Sequence, residues 1–152
     1  MKQINDTLFI KSVSFKDIIQ LRFLFDLLCE REPSINISHD LIVKELYTFD
    51  KHCQFVISNP YWKWFVVYKD NNPIGSFYLT TKKNLSGRAI GIFIKNTEQK
   101  NGYGTAILNY IKEKYKKERL LANIAPNNLI SQKFFAKQGF KKIQITYKLE
   151  NK

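Results

Sequence analysis

The sequence contains few of the residues that build metal sites, disulfide frameworks or fibrous repeats. It has two cysteines, Cys29 and Cys53, and two histidines, His39 and His52. Their spacing matches neither a zinc site nor a C-x-x-C pair, so we predict no bound metal and two free thiols. Six glycines and four prolines are too few for a fibrous or low-complexity chain.

Long apolar runs are also missing. The strongest one, residues 64–68, is far shorter than the roughly 20 residues of a membrane span. Residues 1–9 lack the charged and then apolar layout of a signal peptide. We therefore expect a cytoplasmic protein with no membrane partner. No linker-like composition divides the chain, so we predict a single domain over residues 1–152.

Basic residues are in large excess, 25 against 13 acidic ones, for a net charge of +12. Such an excess points to a phosphate-bearing partner: nucleic acid, an anionic membrane or a phosphorylated ligand. A generally basic surface explains it equally well. Arginine is the residue favoured for phosphate recognition, and only Arg22, Arg31, Arg88 and Arg119 are arginines. No helix-turn-helix, RNP-type or zinc-finger pattern accompanies the charge. We expect no nucleic-acid partner and rank that function last.

The patterning in the first half predicts a strand, a first helix, two further helical pieces and three strands. The first helix has Ser14 as its N-cap and an apolar face of Ile18, Leu21, Leu24, Phe25 and Leu28. A second N-cap, Ser38, begins two helical pieces that are separated near residues 47–50 and end at Ser58. The predicted strands are 8–13, 62–69, 74–83 and 88–95, with turn residues 70–73 between the second and third.

The second half predicts a helix, a strand, a helix and a last strand. The first of these helices has a single apolar face made of Tyr103, Ala106, Ile107, Tyr110, Ile111 and Tyr115. A strand over 120–124 follows, then a helix capped by Asn127 or Asn128 and ended by Gly139, and finally a strand over 141–149. This order implies an α/β domain with a central mixed sheet.

The octapeptide QKNGYGTA, residues 99–106, joins a predicted strand to a predicted helix. The first backbone N–H groups of a helix have no intrahelical acceptor, and the helix dipole adds partial positive charge there. Gly102 and Gly104 remove Cβ atoms from this point, and Thr105 adds a hydroxyl donor, so the turn can receive a phosphate. A tight turn that merely needs positive φ is the alternative.

The glycine spacing excludes the common nucleotide loops. G-x-x-x-x-G-K-[ST] is not present, and a dinucleotide fingerprint would need glycine at Ile107. The segment instead reads Q-x-x-G-x-G, with GIFI upstream and N-x-x-S-x-x-F-F-x-x-x-G-F downstream. These three motifs, in this order over about residues 62–149, resemble the GNAT superfamily of acyl-CoA N-acyltransferases. The resemblance implies a central mixed, mostly antiparallel sheet flanked by helices on both faces, and acetyl-CoA (coenzyme A) as cofactor.

The resemblance also implies roles for individual residues. In the family, two strands splay apart and the pantetheine arm of the cofactor lies between them. The resemblance implies that the cofactor-binding residues of this chain are Ile92, Ile94, Gln99, Asn101, Gly102, Gly104, Thr105, Asn128, Ser131 and Phe135. Ile92 and Ile94 would offer backbone groups to the arm, and Ser131 would lie near the sulfur. Core packing is the alternative for Phe134 and Phe135, and helix capping for Asn128.

Two positions depart from the family pattern. Many members have a glutamate base before Ile-Gly and a tyrosine acid on the last helix, where this chain has Ala89 and Phe135. Neither side chain can carry a proton, so the candidates for catalysis are His39, His52 and Ser131, with Glu98 a further titratable group. A histidine pKa of about 6.5 suits a base, although a surface or packing role is the alternative for both histidines.

Three functions follow from these observations. The first is N-acetylation of a primary amine on a small molecule, with a nucleotide-linked amino sugar favoured by the basic surface. The second is an acyl-CoA-binding module without turnover, which Ala89 and Phe135 would allow. The third is nucleic-acid binding. We expect a monomer or a homodimer.

Overall fold

The computed structural model describes residues 1–31, 47–82 and 84–151 and shows helices packed on both faces of a mixed sheet. The strands are β1 (Lys2–Gln3), β2 (Leu8–Ser12), β3 (Lys63–Lys69), β4 (Asn72–Leu79), β5 (Arg88–Ile94) and β6 (Leu120–Leu121). The helices are α1 (Ile18–Glu30), α2 (Phe49–Ile57), α3 (Tyr103–Lys114) and α4 (Leu129–Lys137). The predicted α/β class, with a mostly antiparallel sheet, is confirmed.

The strands lie in the sheet in their chain order. Strands β1 to β5 are antiparallel neighbours, and β5 and β6 are parallel. A parallel pair needs a long connection, which here contains α3. Strand β6 pairs with β5 only at Arg88↔Leu120 and Ala89↔Leu121. Beyond Ala89, β5 has no strand partner on that side among the described residues, and the sheet opens there.

The hairpin between β3 and β4 has a tighter turn than the predicted residues 70–73. Asp70 and Asn71 form it with φ of 49° and 64°, and β4 already begins at Asn72. Two consecutive left-handed residues are the geometry of a two-residue hairpin turn, and aspartate and asparagine accept it readily.

The N-cap of helix α1 lies three residues later than predicted. The predicted N-cap Ser14 is wrong, because the side chain of Asp17 accepts hydrogen bonds from the amides of Ile19 and Gln20. Ile18, predicted on the apolar face, is exposed, since it is the first helical residue and precedes the turns that pack on the sheet. The cap Ser38 lies outside the described residues, and α2 is capped by Thr48.

The main core lies between the sheet and α3. The alternation of strand side chains puts Phe77 and Leu79 of β4 on this face, against Ile107 and Ile111 of α3. The opposite face packs against α1 through a smaller cluster of Leu24, Val66 and Tyr68. Helix α4 contacts the main core through half-buried aromatic residues: Phe134, Phe135 and the following Phe140.

The predicted last strand, residues 141–149, is wrong. The structure forms no strand after α4 within the described chain, and residues 141–150 are all exposed. The predicted strand over 120–124 is likewise reduced to Leu120–Leu121. Alternating residues indicate a preference for the extended conformation, but a strand also needs a neighbour for its backbone groups.

Among the described helices, none is long and apolar enough to cross a membrane.

Candidate functional site

The turn into α3 exposes the backbone amides of the helix start. Gly102 is the N-cap with φ of 78°, and Lys100 is also left-handed with φ of 67°. The first intrahelical bond runs from the amide of Ala106 to the carbonyl of Gly102 at 3.1 Å. No side chain caps the first turn, so the amides of residues 103–105 have no intrahelical acceptor. Such a group of amides binds anions.

Neither glycine is needed to avoid a clash with neighbouring atoms. A Cβ built on Gly102 would meet nothing within 4 Å, and one on Gly104 would meet only the Phe134 ring, at 3.7 Å. Gly104 lies inside α3, where alanine would be the more stable residue by about 1 kcal/mol. Neither packing nor dihedral angle therefore explains glycine at 104. Glycine here leaves the backbone open to the close approach of another group.

Two of the predicted cofactor residues hold the turn itself. The Gln99 amide nitrogen donates to the carbonyl of Ile94 at 3.0 Å and to Oδ1 of Asn96 at 3.2 Å. The Asn101 amide nitrogen donates to the carbonyl of Glu98 at 3.1 Å. These bonds fix the path from β5 to α3, so both residues position the exposed amides. Thr105 is exposed in the first turn of α3.

Helix α4 borders the same face of the sheet. Its N-cap is Asn128, whose Oδ1 accepts from the amide of Ser131 at 3.1 Å. Phe135 is half-buried between Phe134 and Phe140, with ring centroids 5.1 and 5.2 Å away. Phe134 packs on the main core and covers Gly104. The capping role of Asn128 and the packing role of Phe134 are therefore both observed.

A pocket lies on the opposite face of the sheet, beneath α1 and α2. Its volume is about 90 Å³, and half of its lining residues are phenylalanine, tyrosine or tryptophan. Its lining includes His52 and Phe55 from α2, Trp64 from β3, Tyr78 from β4 and Phe93 from β5. Phe93 alternates with Ile92 and Ile94, which face the main core. Strand β5 therefore separates the pocket from the α3 turn, and its free edge is close to both.

His52 is the buried titratable group of this pocket. Its side chain is 3% exposed, and its Nδ1 lies 3.2 Å from the Tyr47 hydroxyl. Its Nε2 has no hydrogen-bond partner among the described residues. Burial lowers the pKa of His52 to about 4, so the ring is neutral at pH 7. A pKa near 6.5, expected from the residue type alone, is not what the structure gives.

A cation and two phenols form the other end of the pocket. The Arg31 guanidinium lies 3.8 Å from the centroid of the Phe93 ring, and burial lowers its pKa. Tyr61 stacks on Tyr78 at 3.8 Å. Burial raises the pKa of Tyr78, against the opposing effects of the Arg31 charge and a hydrogen bond with Tyr61. None of these residues was predicted to belong to a site. Trp64, Ser76 and Tyr78 nevertheless alternate along their strands with core residues, which is the pattern of a second face with its own contacts.

The structure divides the predicted site residues into two groups. The turn residues, Asn128, Ser131 and Phe135 lie on the α3 face, and His52 lies on the other. Ala89, in the position of the family's glutamate, is half-buried, and its amide donates to the Thr80 hydroxyl at 2.9 Å. His39 lies outside the described residues. Among the contacts described for Ala89 and Phe135, no titratable side chain takes the place of the missing base and acid.

Comparison with known proteins gives one family match. A model described as the acetyltransferase (GNAT) family matches residues 21–140. No curated protein sequence matches the chain.

Several solved structures share the fold. An acetyltransferase from Thermus thermophilus is 22% identical with a TM-score of 0.71, over 91% of this chain and 89% of that one. The ribosomal L7/L12 α-N-protein acetyltransferase RimL, solved with coenzyme A, is 11% identical with a TM-score of 0.67, over 89% and 80%. The aminoglycoside N-acetyltransferase AAC(6')-Iy, also with CoA, is 16% identical with a TM-score of 0.64, over 95% and 94%.

Proposed function

Because the chain belongs to the GNAT acetyltransferase family, we propose that it transfers an acetyl group from acetyl-CoA to a primary amine of a small molecule in the cytoplasm. The observation that carries this proposal is the turn into α3. Its exposed amides, its helical Gly104 without a packing reason and the adjacent opening between β5 and β6 coincide in one place. A diphosphate requires exposed amides and close access to the backbone, and an extended arm requires a free strand edge.

The residues of this turn fit the cofactor. The amides of residues 103–105 and the Thr105 hydroxyl would hold its phosphates, and the backbone of Ile92 and Ile94 would pair with its pantetheine arm along the free edge of β5. Asn128 and Ser131 would border the arm from the start of α4, with Phe135 along the thiol. When bound, acetyl-CoA supplies an activated acyl group to an attacking amine.

The aromatic pocket is the proposed acceptor site. It lies across β5 from the proposed cofactor site, and the free edge of that strand connects the two. Aromatic walls favour a ring, because sugars and bases stack on them through apolar faces. The Arg31 guanidinium and the net charge of +12 favour an anionic acceptor. A nucleotide-linked amino sugar has both properties, and the pocket of about 90 Å³ would take only its amine-bearing part.

His52 would position the amine rather than accept a proton from its ammonium form. An alkyl ammonium has a pKa of about 10.4, so a ring with a pKa of about 4 is weaker as a base by roughly six orders of magnitude. A neutral imidazole can instead form a hydrogen bond with an amine that has already lost its proton. Burial in an apolar pocket favours that neutral amine.

An acyl-CoA-binding module is the second candidate. It is favoured by Ala89 and Phe135, which carry no titratable group at the two positions where the family has its acid and base. Both candidates predict cofactor binding, and only the first predicts turnover.

Two measurements test the proposal. Acetyl-CoA at a hundredfold excess over its Kd should raise the free energy of unfolding by about 2.7 kcal/mol. Release of free CoA with a panel of amines, including nucleotide-linked amino sugars, should then identify an acceptor. Binding without release for any amine would favour the binding module, and no stabilisation by acetyl-CoA would contradict both candidates.

The role of His52 needs a separate variant. His52→Gln should lower kcat/KM for the acceptor and leave acetyl-CoA binding unchanged, because the ring lies on the acceptor side. Gln54→Ala, an exposed change on the same helix, should keep wild-type values. Wild-type turnover of His52→Gln across pH would exclude the histidine from the reaction.

A further inference from the structure

The ring of Tyr78 covers a glycine of the neighbouring strand. Tyr78 of β4 lies directly opposite Gly91 of β5 in the sheet. A Cβ built on Gly91 would collide with Cε1 and Cζ of the tyrosine ring and would lie 2.7 Å from its hydroxyl oxygen. The outer half of the ring therefore occupies the place where any other residue at position 91 would have its side chain. A glycine inside a strand often marks such a close approach.

The covered side of β5 is the side that faces the aromatic pocket. Ile92 packs on the main core, so the alternation of a strand puts its neighbours Gly91 and Phe93 on the pocket face. Tyr78 and Phe93 both line the pocket, and their ring centroids are 6.0 Å apart. The Tyr78 ring is therefore the wall of the pocket at the level of Gly91.

A second ring holds this wall in place. Tyr61 stacks on Tyr78 with centroids 3.8 Å apart and an interplanar angle of 2°. Trp64 and Phe55 in turn pack edge-on against Tyr61, with centroids 4.9 and 5.9 Å away. Rings packed on several sides do not move aside cheaply for an added group. We therefore expect the Tyr78 ring to keep its position when the neighbouring site is filled.

The wall lies where the proposed cofactor arm would end. The phosphates are placed at the turn that follows β5, so the arm would run back along the free edge of this strand, from Ile94 towards Ile92. That edge stops being free at Ala89, where β6 pairs with β5. An acyl group at the end of the arm would then be level with Gly91. To meet an amine in the pocket, it would cross β5 where the Tyr78 ring stands.

Given the proposed function, on which this inference rests, we propose that the Tyr78 ring limits the acyl group of the donor to acetyl. Carbon atoms added beyond acetyl would have to displace a ring that is packed between Gly91 and Tyr61. The limit is steric, so it depends on the ring and not on its hydroxyl group. Tyr78 is in this sense a specificity-determining residue for the acyl donor.

The test compares the affinities of three ligands by isothermal titration calorimetry: CoA, acetyl-CoA and butyryl-CoA. The wild type should bind butyryl-CoA about tenfold more weakly than acetyl-CoA, the scale of forcing methylene groups into a filled space. Tyr78→Phe keeps the ring and should keep this ratio. Tyr78→Leu and Tyr78→Val lack the outer half of the ring and should bind the two acyl-CoAs with similar affinities. An unchanged affinity for CoA shows that each variant is folded.

Leu28→Ala is the matched control, because it enlarges the same pocket from the side of α1. It should keep the wild-type ratio, and loss of the ratio in this variant would mean that the whole pocket and not Tyr78 sets the limit. Equal affinities in the wild type, or a ratio that persists in Tyr78→Leu and Tyr78→Val, would also overturn the inference. These outcomes leave the proposed function intact, whereas no binding of CoA to the wild type would overturn both.

Discussion

Burial of His52 should make the stability of the protein depend on pH. The ring lies among Phe25, Tyr47 and Phe55, with centroids 5.8, 5.9 and 6.3 Å away. These rings exclude the water that would solvate an imidazolium. Burial accordingly lowers the pKa to about 4, whereas the unfolded chain has a histidine pKa of about 6.5.

The sign of the effect follows from proton uptake. Between about pH 4 and 6.5 the unfolded state binds a proton that the folded state does not, so the free energy of unfolding falls as the pH drops through this range. The contribution is complete above about pH 6.5 and is lost by about pH 4. The difference in pKa corresponds to about 3 kcal/mol. Because the folded protein relaxes around a buried charge, we expect about 2 kcal/mol in measurement.

Urea unfolding of the wild type and of His52→Gln, at several pH values between about 4 and 7.5, measures this contribution. The difference between the two curves should change by about 2 kcal/mol across the range, because groups that both proteins share cancel. In a His39→Gln background, His52 is the only histidine, and NMR titration of its ring protons reports the pKa directly. Parallel curves, or a ring that titrates near pH 6.5, would refute the reasoning.

Three further predictions concern the turn and the core. Gly104→Val should fold, since its Cβ meets Phe134 at an ordinary 3.7 Å, but it should lose the thermal stabilisation by acetyl-CoA. The control Asn109→Val, exposed on the same helix, should keep that stabilisation. Stabilisation of both variants would remove the reason for placing phosphates at this turn. Gly102→Ala should lower the free energy of unfolding by about 1 kcal/mol, because φ of 78° is strained for alanine; no change in urea unfolding would contradict this. Phe77→Ala, at a fully buried position, should cost about 3–5 kcal/mol in the same assay, and a loss under about 1 kcal/mol would mean that the core repacks.

Local chemistry made parts of the fold and site predictable. Strand β5 follows from an uninterrupted apolar run, and α3 from its helical spacing. Gly139 stops α4 with φ of 95°, and the Phe140 amide donates to the carbonyl of Phe135, because only a left-handed residue lets the chain turn back there. The exposed amides after Gly102 were also predictable, because the first N–H groups of any helix have no intrahelical acceptor.

Other features depended on contacts between segments distant in the chain. Asp17 rather than Ser14 caps α1, a choice between two good capping residues that packing decides. The pKa of His52 depends on rings from α1 and α2, which no local pattern reports. Arg31 reaches Phe93 across 62 positions of the chain, and the sequence gives no sign that they meet.

The amino-acid sequence by itself determined the family, the order of most elements and the position of the turn with exposed amides, because periodicity, glycine and helix ends act over a few residues. Only the tertiary structure decided that the aromatic pocket lies across β5 from that turn, that His52 is neutral and that residues 141–149 remain uncovered. These properties depend on which surfaces exclude water and which edges find a partner, and both are set by residues far apart in the chain.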